Sequence, residues 1–126
     1  MASVDDGRLT LAPGYAKLFA EIGFLGVSRG HLDEADTVFA ALETMRPGHE
    51  IGPLGRAVVA MARNDFRSAS RILSAAPQTD AVAAFRALAL ARLGDRAEAA
   101  TILEDLADTA QEEAIADLAE EVAKSL

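Results

Sequence analysis

A turn pattern that recurs three times constrains the fold of this chain more than any other feature. Each copy has a Gly or Asn five residues before an alanine, with a polar residue directly after the Gly or Asn. The three alanines are Ala35, Ala69 and Ala99, spaced 34 and then 30 residues apart. A period of this length is typical of stacked helix hairpins, in which each unit buries its apolar face against its neighbours.

The residue types in the pattern suit a unit of two helices joined by a tight turn. Gly or Asn accepts the left-handed conformation that ends a helix, and the polar residue after it can cap the next helix. Alanine is small enough to lie where two helices cross. Apolar residues follow each alanine at four and seven positions, which is helical spacing: Phe39 and Leu42, Leu73 and Ala76, Leu103 and Leu106.

This pattern resembles the tetratricopeptide repeat (TPR), whose turn reads Gly-Asp/Asn-aromatic-x-x-Ala before its second helix. Pro47 stands 12 residues after Ala35, where that repeat expects its terminating proline, and Pro77 comes early in the second repeat. The first-helix signature, at Phe19, Ile22 and Gly23, is weak. The resemblance extends over residues 15–107 and implies an all-α fold of about three antiparallel TPR-like hairpins, stacked as a right-handed α-solenoid.

The two ends of the chain are predicted to differ from the repeats. Residues 1–14 are predicted to be a flexible leader, and residues 15–126 a single domain. Within that domain, Thr109 begins a sequence close to a capping box, after which Ile115, Leu118 and Val122 share one helical face. A solenoid needs a terminal cap with a polar outer side, so residues 109–126 are predicted to form a C-terminal capping helix.

The charge of the chain is concentrated near its C-terminus. The net charge is -8; residues 1–94 carry ten acids and ten Arg or Lys, and residues 95–126 carry ten acids and two bases. This balance argues against nucleic-acid binding, which depends on neutralising phosphates. The acidic segment is interpreted as a solvated helix face, with a basic protein partner as the alternative. With no signal-peptide layout and no membrane-length apolar run, a cytoplasmic protein is predicted.

The sequence lacks the motifs of enzymes and metal sites. His49 and Glu50 begin a zinc-protease motif, but the second histidine is missing. The glycines at 48, 52 and 55 are interpreted as a flexible connection, and no lysine follows them to complete a phosphate loop. The chain contains no cysteine. We therefore predict no catalytic residue, no metal site and no cofactor, and a protein that is not an enzyme.

A basic series, Arg63, Arg67 and Arg71, follows i, i+4, i+8 spacing in the second repeat. The favoured interpretation is structural, with these side chains pairing with a neighbouring helix. Binding to an acidic partner is the alternative.

The first helix of each hairpin is expected to line the concave face of the array. The apolar side chains placed there are predicted to form a partner-binding groove: Ala20, Phe24, Val27, Ile51, Leu54, Val58, Met61, Ala84, Leu88 and Ala91. An exposed apolar face of this size favours a ligand, and an amphipathic helix is the ligand that suits it. The alternative is a groove filled by the protein itself, through its N-terminal segment or a second copy.

The stretch from Phe24 to Ala35, continuing through Phe39, Leu42, Met45, Arg46 and Pro47, is similar to the small TPR-like proteins of type III secretion systems, which include the needle-subunit chaperones. That resemblance implies a cytoplasmic chaperone without enzymatic activity. Its groove would hold the amphipathic C-terminal helix of a needle subunit, and a small helical co-chaperone would complete the complex. A homodimer, a general TPR scaffold or adaptor in another complex, and a regulatory subunit of an enzyme are the alternatives.

Overall fold

The computed structural model describes the backbone of residues 2–5, 8–11, 13–110 and 113, and the side chains of residues 16–110 and 113. Two short strands come first, β1 (Ala2–Asp5) and β2 (Arg8–Leu11), paired antiparallel with Ala2 opposite Leu11. Six helices follow among the described residues: α1 (Pro13–Ser28), α2 (Leu32–Met45), α3 (Ile51–Ala62), α4 (Phe66–Ser74), α5 (Asp80–Arg92) and α6 (Arg96–Thr109).

The helices form three hairpins, α1–α2, α3–α4 and α5–α6, and the predicted all-α, TPR-like fold class is confirmed. The handedness of the array stays a prediction. The predicted flexible leader, residues 1–14, contains β1 and β2, and its flexibility stays a prediction. Nearly all of the predicted capping helix, residues 109–126, lies outside the described residues.

The turn inside each hairpin has the geometry that the sequence pattern predicts. Gly30, Asn64 and Gly94 have φ angles of 79°, 60° and 95°, in the left-handed region. The residue after each one donates its backbone N–H to a carbonyl five positions back, over 2.8 to 2.9 Å: His31 to Gly26, Asp65 to Ala60 and Asp95 to Leu90. This is the six-to-one bond of the Schellman motif, repeated in all three hairpins.

The apolar core is built from the same repeat positions in every hairpin. Ala35, Ala69 and Ala99 are buried. The positions four and seven residues later are buried as well: Phe39 and Leu42, Leu73 and Ala76, Leu103 and Leu106. The core therefore consists of three apolar clusters, one centred on each hairpin, and Val59 of α3 extends the first cluster across the junction between repeats.

The glycines at 52 and 55 were interpreted as part of a flexible connection, and that interpretation was wrong. Both lie inside α3, which begins at Ile51, and both are buried. Pro53 falls in the first turn of the helix, where its missing N–H costs no intrahelical bond. A Cβ at Gly52 would lie 2.7 Å from Glu43 Cα. Close packing of α3 on α2 therefore requires a bare backbone at this point.

Ion pairs connect neighbouring helices at the surface. Arg56 of α3 lies 3.6 Å from Asp36 Oδ1 and 3.0 Å from Glu43 Oε2, both on α2. Arg86 of α5 bonds Glu98 of α6 at 3.0 Å. These side chains are partly exposed, so each pair contributes little to stability and mainly fixes the orientation of the helices.

Candidate protein-binding site

The odd-numbered helices form the inner row of the array. α1 packs against α3 and α3 packs against α5, whereas no comparable packing joins α2, α4 and α6 within residues 13–110. When hairpins stack with their first helices in contact and their second helices apart, the array curves toward the first helices. The row of α1, α3 and α5 is therefore the inner face on which the groove was predicted.

The ten predicted groove residues lie at three depths in this face. Ala20 and Leu54 are buried in the core clusters at 6% and 8% exposure, so they form the floor. Leu88 is exposed at 37%. The others are half-buried: Phe24, Val27, Ile51, Val58, Met61, Ala84 and Ala91. Phe24 also packs against the Phe39 ring, with centroids 4.8 Å apart, and so supports the core from the inner side.

The ten groove residues of the inner face are all apolar but differ in side-chain size. The first two repeats contribute bulky residues such as Phe24 and Met61, whereas the third contributes Ala84 and Ala91 beside Leu88. Among residues 16–110, no polar or charged side chain is fully buried beneath it. Such a surface offers packing area to another apolar chain and little hydrogen bonding.

A second apolar surface, which we call the α1 end face, was missed at the sequence level. It consists of Leu18, Ile22 and Leu25, which are 49%, 47% and 51% exposed. A cavity of about 230 Å³ lies between Ile22 and Leu25 of α1 and Val38 of α2, and a second of about 160 Å³ lies between Phe19 and the same side of α2. The i, i+4, i+7 spacing of the three residues is the sequence signal that would have found this face.

The repeat alignment explains why the α1 end face is exposed. Leu18 and Leu25 correspond to Val82 and Ala89 in α5, which are fully buried. In α3, Val59 corresponds to Leu25 and is buried against the first repeat. These positions thus pack on the preceding repeat, and the described residues provide no preceding repeat for α1. The α1 end face has the composition of an inter-repeat contact without a partner.

The basic series of the second repeat does not lie on one helix. Arg63 follows the end of α3 and pairs with Asp33 of α2, in keeping with the structural interpretation for that residue. Arg67 and Arg71 lie on α4 near Asp65, the N-cap residue of that helix. The pKa of the Asp65 carboxyl is lowered by the Ser68 hydroxyl and backbone N–H that donate to it, and further by the charges of Arg71 and Arg67.

Two negative observations apply to the described part of the chain. It holds no group of three His, Asp or Glu side chains placed to bind a metal ion. None of its helices is both long enough and apolar enough to cross a membrane.

Stacked hairpins, each with a Schellman turn between its two helices and an alanine where the helices cross, define a TPR-like helical array. Two solved structures have the same fold. One is PcrH in complex with the chaperone-binding region of PopD, with a TM-score of 0.72 and 19% identity, covering 91% of this chain and 92% of that chain. The other is PcrH in complex with the chaperone-binding region of PopB, with a TM-score of 0.72 and 18% identity, covering 88% and 96%.

PcrH is a TPR-like type III secretion chaperone, so the predicted resemblance to small chaperones of this kind is confirmed at the level of the fold. No family model matches the chain, and no curated protein matches it.

Proposed function

We propose that this chain is a non-enzymatic, cytoplasmic type III secretion chaperone that holds an amphipathic segment of a secretion subunit against its inner face. The observation that carries the proposal is the apolar row of α1, α3 and α5 on a fold shared with PcrH over 91% of this chain. An apolar face covers the self-association surface of a cargo by offering it a competing surface.

The cargo has two candidates. The sequence resemblance implies the C-terminal helix of a needle subunit. The comparison favours a second candidate, a translocator-type subunit, because PcrH was solved with the chaperone-binding regions of PopD and PopB. Binding of either candidate requires the same surface on this chain, an apolar inner face about three helices wide.

The α1 end face is the proposed contact for a second helical chain. Leu18 and Leu25 occupy positions that α3 and α5 use to pack on a preceding repeat, so a helix lying along α1 would complete the array. The small helical co-chaperone implied by the sequence resemblance fits this role, and a second copy of the chain is the alternative occupant.

The test is a tagged purification from the native bacterium, with co-purifying proteins identified by mass and the complex sized in solution. Recovery of a secretion subunit at equal stoichiometry, which polymerises or aggregates when released, supports the proposal. Recovery of the chain alone with a protected inner face contradicts it and favours a self-filled groove. Recovery of an unrelated complex or enzyme favours the scaffold or regulatory alternatives.

A further inference from the structure

A cavity of about 320 Å³ opens at the edge of the inner face where α1 and α3 begin. We call it the basic notch. Its apolar wall is formed by Ala16, Ala20 and Ile51, and its rim by Lys17, Arg46 and His49. Ala20 and Ile51 also belong to the predicted groove, so the notch is continuous with the inner face.

The rim of the basic notch carries two basic side chains that the described acids do not pair with. Within residues 16–110, no carboxylate forms an ion pair with Lys17 or Arg46. Of the acids nearest in sequence to Arg46 and His49, Glu43 forms an ion pair with Arg56 at 3.0 Å, and the Glu50 carboxylate accepts a hydrogen bond from the Thr79 hydroxyl. The side chains of Lys17, Arg46 and His49 all line the cavity.

A hydrogen bond from the backbone fixes which ring nitrogen of His49 can donate to a ligand. Its Nδ1 accepts the backbone N–H of Ile51 at 3.1 Å. With Nδ1 acting as the acceptor, Nε2 carries the ring proton in the neutral imidazole and is the nitrogen left to donate to a ligand. The notch therefore combines two permanent positive charges with an oriented donor beside an apolar wall.

We infer that the basic notch binds an acidic side chain of the cargo, one that lies next to the apolar stripe of the segment held on the inner face. This inference rests on the proposed function and adds a charge requirement to it. Ala20 and Ile51 of the apolar wall would contact the stripe, while Lys17 and Arg46 would pair with the flanking carboxylate. The contact would fix the direction in which the segment crosses the groove, because an apolar face alone does not distinguish the two directions.

The experiment is a selection with phage-displayed 20-residue peptides. Each peptide has a fixed Leu/Ala stripe at helical spacing, polar positions randomised among Glu, Gln and Lys, and no free terminal carboxylate. Selections are run on wild-type protein, on Lys17→Gln/Arg46→Gln, and on the charge-matched control Arg67→Gln/Arg96→Gln, whose side chains are exposed. A fourth selection uses Val58→Asp, which alters the inner face itself.

We expect wild type and the control to enrich Glu over Gln about three- to tenfold at positions near one end of the stripe, as for one or two exposed ion pairs. The Lys17→Gln/Arg46→Gln protein should select the same stripe without that preference. Equal enrichment of Glu and Gln by wild type, or a preference that persists in the double variant, overturns the notch inference alone. Failure of wild type to select any peptide, or selection unaffected by Val58→Asp, overturns the proposed groove function and the notch with it.

Discussion

The ring of Phe39 occupies the space that a side chain on Gly55 would fill. A Cβ at Gly55 would lie well inside van der Waals contact of three atoms of that ring. Phe39 is fully buried in the first core cluster, and Gly55 belongs to the helix that begins the second repeat. The junction between the first two repeats thus depends on an aromatic ring lying against bare backbone.

Gly55→Ala is therefore expected to lower the free energy of unfolding by about 1–3 kcal/mol, the usual cost of overpacking a core. Urea denaturation followed by circular dichroism measures it. The control is Gly26→Ala in α1, where the added Cβ would lie 3.3 Å from Ala35 Cβ. That contact is tight but much less severe, and alanine favours the helix interior by up to about 1 kcal/mol. Equal effects of the two substitutions would contradict the proposed role of Gly55.

Ala69→Leu should destabilise the array, because Ala69 is fully buried in the second core cluster where α4 packs on α3. Overpacking there is expected to cost about 1–3 kcal/mol, measured as a shift of the denaturation midpoint. Ala97→Leu provides the comparison, since Ala97 is exposed on α6. An Ala69→Leu protein as stable as the Ala97→Leu protein would show that the crossing of α3 and α4 accommodates the larger side chain.

Asn64 is the only residue other than glycine with positive φ among those the structure describes. Asn64→Ala is expected to cost about 1 kcal/mol, because a Cβ disfavours the left-handed conformation and alanine lacks the local hydrogen bonding that helps Asn adopt it. Asn64→Gly, which copies Gly30 and Gly94, should be neutral or stabilising. The melting temperatures of both variants are compared with that of wild type. An Asn64→Ala protein more stable than wild type would contradict the role assigned to the left-handed turn.

Val58→Asp and Met61→Asp should abolish cargo binding while helicity is retained. Both side chains are half-buried on the inner face, and a bound cargo would bury an introduced carboxylate without a partner. Such burial costs several kcal/mol, roughly enough to remove a micromolar interaction. Leu93→Asp is the control: Leu93 is 41% exposed, just beyond α5 and outside the predicted groove. If both inner-face variants bind cargo normally, as measured by calorimetry, the groove is misplaced.

The Asp65 cap gives stability a specific dependence on pH. Because hydrogen bonds from Ser68 hold the folded-state pKa of Asp65 below its ordinary value of 3.8, the charged form is favoured by folding. The stabilisation is complete above that ordinary value and is lost as the pH falls through the folded-state pKa. Wild type should therefore melt above Asp65→Ala at pH 7, with the gap closing below pH 3.8. A gap that stays constant down to pH 2 would assign the effect to something other than the carboxylate.

The repeat pattern was enough to predict the hairpins, because its residues have roles fixed by local geometry. Gly30, Asn64 and Gly94 end their first helices as expected, and each anchoring alanine is buried. The pattern did not predict that Gly52 and Gly55 lie inside a helix. Glycine and proline disfavour helix interiors locally, and only the tertiary approach of α2 makes a bare backbone favourable there.

The candidate surfaces were predicted less completely than the fold. Helical spacing placed the ten groove residues on the inner helices, but it did not separate Ala20 and Leu54, which form the floor, from Leu88, which is exposed. The burial of each side chain depends on which neighbouring helices pack against it, and that is a property of the assembled array. The basic notch depends on Lys17 of α1 and Arg46 after α2 lying beside Ile51 of the next hairpin, a relationship that the repeat pattern does not encode.

The exposed side of α1 bears on how long the protein survives in a cell. A repeat packed on one side only opens at lower free energy than a repeat packed on both sides, and proteases act on the opened population. A partner that binds the closed form reduces that population by mass action. If the proposed helical partner is co-expressed, we therefore expect the half-life of this chain in the cell to lengthen, so that its abundance follows the supply of that partner.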